Sequence, residues 1–247
     1  MSCFMDQTEL ETNKEPLAIP RSALLIHESI VRELESLLAL QVVSPLESSF
    51  RIGFEKILSL FELYQNRVVV SNGNQVTCGK GCSWCCFHWV EDVNSFEAEI
   101  IADFIKKQMT LEQVKNIAAT CREDEAALER LDNIINEKIA QLEGEREIDT
   151  TLLLLSSYYQ LERPCPLLGP DGSCSVYPVR PLTCRVYMSF SDPVRCAPAN
   201  INDGEVVTYI LDLEEKANAI IDKLHFRFCR FEGDTGLRSA LLKYLTN

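Results

Sequence analysis

At 247 residues, with 46% hydrophobic and 25% charged residues, the chain can bury a core of its own, which excludes a disordered polypeptide. Its net charge of -13 excludes a nucleic-acid backbone as main partner, because that contact needs a basic surface to displace counterions. No apolar run approaches the roughly 18 to 20 residues of a bilayer span, and the opening MSCFMDQTELETNKEPLAIPR has neither a basic leader nor an apolar stretch. No membrane contact and no export are expected, and the expected location is the cytoplasm.

Leu24, Leu25, Ile30, Val31, Leu34, Leu37 and Leu38 recur at three and four residues, which predicts an amphipathic helix over 22–43 with Ser22 as its cap. Ile52, Phe54, Ile57, Leu58, Phe61 and Tyr64 predict a second over 46–67, stopped by the turn Ser71-Asn72-Gly73-Asn74. Asn94-Ser95 with Glu97 reads as a helix start into Ala98, Ile101, Ala102 and Ile105. Thr110 opens the next helix, whose apolar stripe carries Val114, Ile117, Cys121, Leu128 and Ile135, and a further helix is expected over 149–161. Nine prolines and glycines between Pro164 and Pro198 forbid long regular elements there. A short strand over 206–211 and helices over 211–228 and 237–245 complete the chain. The expected fold is all-α, with an irregular cysteine-rich metal-binding subregion. Its parts are an N-terminal helical segment over 1–77, a cysteine-cluster region over 78–200 and a C-terminal helical segment over 201–247, packed into one domain.

Eleven cysteines in a chain read as cytoplasmic need a reason, since thiols there are kept reduced. Four fall within nine residues, Cys78-Gly-Lys-Gly-Cys82-Ser-Trp-Cys85-Cys86, and four more come later as Cys165, Cys174, Cys184 and Cys196 in the proline-rich stretch. Thiolate-metal bonds supply the order that such a backbone cannot supply for itself. Sulfur donors suit zinc and suit iron-sulfur clusters, and spacing alone does not choose between them. A disulfide framework fails on compartment and on the adjacent pair Cys85-Cys86. Cys3, Cys121 and Cys229 stand apart, on a terminus, an apolar helix stripe and an aromatic run. Four arginines against two aspartates lie between Arg163 and Cys196, whereas 91–149 carries 16 acidic and 7 basic residues. Guanidinium groups near clustered thiolates offset their charge, which makes Arg180, Arg185 and Arg195 candidates for that role. Tyr177 and Tyr187 are candidate donors to sulfur or simply pack, and His88 is a candidate alternative ligand better read as a core or surface histidine.

The run CGKGCSWCCFHWVEDVNSFEAEIIADFI, with CPLLGPDGSCSVYPVRPLTCRVY after it, resembles the YkgJ-like cysteine-cluster family, also called CxxCxxCC and described as zinc- or iron-chelating. The resemblance covers about 78–196 and includes Arg180-Pro181 and Cys184-Arg185. It implies eight metal-binding cysteines, Cys78, Cys82, Cys85, Cys86, Cys165, Cys174, Cys184 and Cys196, with Arg180 and Arg185 beside them. An iron-sulfur cluster is the preferred cofactor and zinc the alternative. The first gap here holds three residues where the family's name has two. Two other functions compete. Cys78-x-x-x-Cys82-x-Trp84-Cys85 also fits the radical S-adenosylmethionine signature, and flagellin lysine methylases contain a similar cysteine domain, but no nucleotide-binding glycine motif supports an enzyme here. A purely structural zinc module on a helical interaction scaffold is the third reading, and its protein partner is undetermined.

Overall fold

The computed structural model describes residues 17–79, 81–141, 148–200, 207–231 and 236–246. It is mainly helical. In chain order come α1 (Arg21–Ala39), α2 (Ser48–Ser71), α3 (Ser95–Gln108), α4 (Leu111–Ala140), α5 (Thr150–Tyr159), α6 (Glu215–Phe228) and α7 (Leu237–Thr246). A small antiparallel pair, β1 (Tyr187–Ser189) and β2 (Thr208–Ile210), is joined in the register Tyr187–Ile210, Met188–Tyr209 and Ser189–Thr208.

Local chemistry sets the helix ends. Asn94 and Glu97 form a reciprocal capping box at the start of α3, and Thr110 and Gln113 form another at α4. Asp149 accepts from Leu152 N–H at α5. Ser22 is not a cap, contrary to the sequence expectation. The backbone amides of Ala23 and Leu24 close onto the Pro20 carbonyl, so α1 begins one residue earlier. α1 also stops at Ala39, short of the expected position 43, because Leu40 is extended and the Arg227 guanidinium gathers the carbonyls of Leu38, Leu40 and Val42. α2 runs beyond 67 to Ser71, since Val68 and Val69 are buried and hold its last turn against the core.

Two apolar clusters share α3. On one side Phe50 and Phe54 of α2, Phe96 of α3 and Phe228 of α6 meet edge to face, with ring centroids 5.0–5.8 Å apart, among the buried faces of α1, α2 and α6. On the other side Ile101 and Ile105 pack with Ile117 and Cys121 of α4, Leu237 and Leu241 of α7, and Cys165, Leu167 and Val176. α3 is thus covered on both faces, and even Glu97 and Glu99 are buried. The cysteine segments lie beside this central helix, which gives otherwise irregular loops a rigid floor.

Candidate metal centre

Backbone contacts bring the two cysteine groups together. Thr77 N–H donates to the Ser189 carbonyl at 2.9 Å, which sets Cys78 beside β1, and Ser189 N–H donates to Cys78 Sγ at 3.3 Å. The chain then turns, Cys82 N–H closing onto the Gly79 carbonyl, and enters a 3-10 turn, Trp84–Phe87, that carries Cys85 and Cys86. Cys165 N–H donates to the Cys86 carbonyl at 2.7 Å, the direct stitch between the groups. An isolated bridge between Leu168 and Cys174 folds the second segment back on itself. The two loops meet at glycines. Gly81 and Gly172 both have positive φ, and a Cβ on Gly172 would sit 3.0 Å from the Gly81 carbonyl oxygen, so neither position accommodates a side chain without strain.

Cys184 and Cys196 close two further 3-10 turns, Leu182–Cys184 and Pro193–Cys196. Glu97 holds the first of them: its carboxylate accepts from Leu182 N–H at 2.8 Å while also capping α3 through Asn94. Cys196 Sγ lies 3.5 Å from Ser189 Oγ, and the Tyr159 hydroxyl donates to the Cys196 carbonyl. All ten described cysteines are free thiols. Cys121 is buried on α4, Cys229 is exposed with its thiol donating to the Phe231 carbonyl, and Cys3 lies outside the described residues.

Six of the eight thiols are pushed towards their neutral form. Burial pushes up Cys78, Cys82, Cys174 and Cys184, and raises Cys165 to about 11. The adjacent pair divides: the hydrogen bond from Cys86 lowers Cys85 against its burial, and Cys86 is raised in return. Set against the neutral thiols are two guanidinium groups with unfilled donors. Arg180 sits over the Tyr177 ring at 4.6 Å, its buried Nε has no partner, and its charge favours the thiolates of Cys85, Cys174 and Cys184. Arg238 is fully buried, is paired with Asp124 at 2.7 Å, lies over Trp89 and Tyr158, and keeps one Nη2 without a partner while favouring the thiolates of Cys165 and Cys121.

Arg238 was not legible in the sequence, where it is one of two charged residues in a ten-residue, mostly apolar helix with no motif around it. Arg185 has a different use. Its guanidinium donates to the carbonyls of Arg180, Tyr177 and Pro178 and pairs with Glu62 of α2 at 2.6 Å, so it shapes the loop and anchors it, with a weaker pull on Cys174. Tyr177 is exposed and supports Arg180, whereas the Tyr187 ring lies in the electrostatic range of Cys196, Cys85 and Cys78.

His88 stacks face to face on Tyr159, with centroids 3.8 Å apart and planes 4° from parallel. Burial lowers its pKa to about 4, so it is a neutral packing residue. Because the folded value lies below the ordinary 6.5, the stability tied to neutral His88 is present above pH 6.5 and is lost as pH falls towards 4, up to about 3 kcal/mol. His88→Phe keeps the stack and is expected to flatten that acid limb. Denaturant melts at pH 7 and pH 4.5 check this, and an unchanged pH dependence would assign the limb to other groups.

Among the described residues, no three Cys, His, Asp or Glu side chains are already drawn around one point closely enough to hold an ion. The donor set itself suits a thiophilic metal or cluster: eight sulfurs on stitched loops, with guanidinium N–H groups left unfilled beside them. After the first cysteine group come α3 and α4, helix upon helix, and not the alternating strands and helices of a radical S-adenosylmethionine enzyme. No described helix is long and apolar enough to cross a membrane. Residues 77–208 match the sequence profile of the CxxCxxCC family, described as a "putative zinc- or iron-chelating domain". No curated protein and no solved structure matches the chain significantly.

Proposed function

The chain belongs to the CxxCxxCC family, and from that membership we propose that it is a cytoplasmic protein that binds metal as an iron-sulfur cluster. Cys78, Cys82, Cys85, Cys86, Cys165, Cys174, Cys184 and Cys196 would supply the sulfurs, and zinc on the same sulfurs is the alternative. The observation that carries the reading is the mismatch of charge. Two guanidinium groups, the fully buried Arg238 and the half-buried Arg180, each with one buried donor left unfilled, stand beside thiols that burial keeps neutral, a pairing that thiolate formation on a metal would improve. Arg180 and Arg238 would then offset the negative sulfur shell, while Arg185 holds the loop that carries Arg180. A bound iron-sulfur cluster would give the protein one-electron chemistry, and bound zinc would give it a structural cross-link.

Iron, acid-labile sulfide and a visible spectrum on protein purified without oxygen test this. Iron and sulfide in comparable amounts with broad visible absorption are expected. Stoichiometric zinc in a colourless protein would refute the iron-sulfur form and leave the chelating one, and the absence of either metal after reconstitution would refute both.

A further inference from the structure

We infer that the groove between α4 and α5 is where a second copy of this chain docks, α4 lying against α4 in antiparallel pairing about a two-fold axis at Ile134.

α4 is longer than the core needs. Its first half inserts Ile117 and Cys121 into the apolar cluster shared with α3 and α7, and Asp124 meets the buried Arg238. Beyond that point Ala127 and Ile135 are buried but belong to neither apolar cluster, because the helix runs on to Ala140 with α5 packed along it. Between the two helices a groove lined by Ala127, Leu131, Ile134 and Leu161 stays open, with Arg130 and Arg163 at its edges. Ile134 and Leu161 are 47% and 43% exposed, and Leu152 and Leu153 of α5 are exposed on the same helical hairpin. Arg163 turns inward to Asp124 and Glu123, so it serves this chain's own fold.

The charges beside the groove say what fits it. Ala127, Leu131, Ile134 and Lys138 form one stripe of α4, and Arg130 and Glu137 stand about 40° and 60° from Ile134 on the same flank of that stripe. Both are exposed, and no described residue is paired with either. One cation precedes Ile134 and one anion follows it, a pattern complementary to its own reverse. A two-fold axis at Ile134 runs the second helix backwards, so Arg130 of each copy comes within one residue, about 1.5 Å along the axis, of Glu137 of the other. The pairing is made twice, as an isologous interface requires. On the other flank Lys138 comes level with the Leu131 end of the groove, which its aliphatic stem covers. A parallel pairing would instead set Arg130 against Arg130 and Glu137 against Glu137. The overlap runs over about thirteen residues, 128–140, or about 20 Å of helix. So small a contact makes the association weak and dependent on concentration.

Sedimentation equilibrium of the full chain tests this, in reductant so that the exposed Cys229 forms no cross-link. The net charge of -13 on each copy resists association, so the salt is set at about 150 mM, where a Debye length of about 8 Å confines charge effects to the contact. A monomer–dimer equilibrium is expected over protein concentrations from about 1 to 300 µM. Ile134→Glu, at a half-exposed position outside both apolar clusters, is expected to abolish the dimer and leave the far-UV circular dichroism unchanged. Arg130→Glu and Glu137→Arg should each weaken the dimer at least about fivefold, and the two together should restore it. A chain that stays monomeric at the highest concentration would overturn the inference and leave the groove to a different partner. A dimer that Ile134→Glu does not disturb would place the contact on another face and overturn it as well. If the double reversal fails to restore what each single change weakens, the antiparallel arrangement is wrong.

Discussion

Arg238→Met is expected to destabilise the protein by about 3 to 5 kcal/mol, lowering its thermal midpoint by on the order of 10 °C. Arg238 and Asp124 are 0% and 1% exposed, and their contact at 2.7 Å replaces water that neither group can reach. Methionine matches the aliphatic stem and keeps contact with Trp89 and Tyr158, so the loss reports mainly the charge. Arg163 remains on Asp124 at 2.6 Å, but it is one-third exposed and cannot desolvate the second carboxylate oxygen as Arg238 does. Removing both charges, with Arg238→Met and Asp124→Leu, should cost less than Arg238→Met alone, because the main penalty is a buried carboxylate left with only the partly exposed Arg163 as partner. Chemical denaturation of wild type, the two single variants and the double variant measures this. A double variant worse than Arg238→Met would show that the ion pair is net stabilising against an apolar replacement. The Arg238→Met variant is also expected to weaken zinc retention, since Cys165 loses the cation that favours its thiolate.

Glu97→Ala is the second large effect, about 2 to 4 kcal/mol. It removes the acceptor of Leu182 N–H at 2.8 Å and half of the capping box of α3 in a site only 1% exposed. Its particular signature is local. With Leu182 released, the turn that carries Cys184 loosens, and Cys184 in the metal-free protein should be alkylated at least several-fold faster than in wild type, while Cys78 keeps its rate. Burial raises the Glu97 carboxyl against the pull of its Asn94 and Leu182 donors, so a neutral substitute is tolerated better than truncation. Glu97→Gln, which retains an acceptor oxygen, should fall between wild type and Glu97→Ala in both stability and Cys184 reactivity. Equal alkylation rates at Cys184 in all three proteins would mean that the turn is held by its own contacts.

Much of this architecture is local and could be read residue by residue. The Asn94–Glu97 start of α3, the Thr110 start of α4 and the short β2 strand occur as their sequence signals require, because caps and side-chain periodicity involve residues within one or two turns of each other. The departures at Ser22 and at the end of α1 have local and distant causes respectively. Pro20 offered a competing carbonyl two residues away, whereas Arg227, which ends α1, comes from a helix 187 residues further along.

The cysteine pattern, by itself, determined that a sulfur-rich subregion interrupts a helical chain, because glycine and proline forbid regular structure there and clustered thiols have few other uses. It could not determine which sulfurs are neighbours, since Cys86 meets Cys165 and Cys78 meets Ser189 across more than seventy residues through backbone bonds that have no sequence signature. Nor could it find Arg238 or the second bond of Glu97, whose importance comes from burial among α3, α4 and α7. Tertiary packing decided both, because the strength of a charge is set by the solvent it loses and not by its place in the chain.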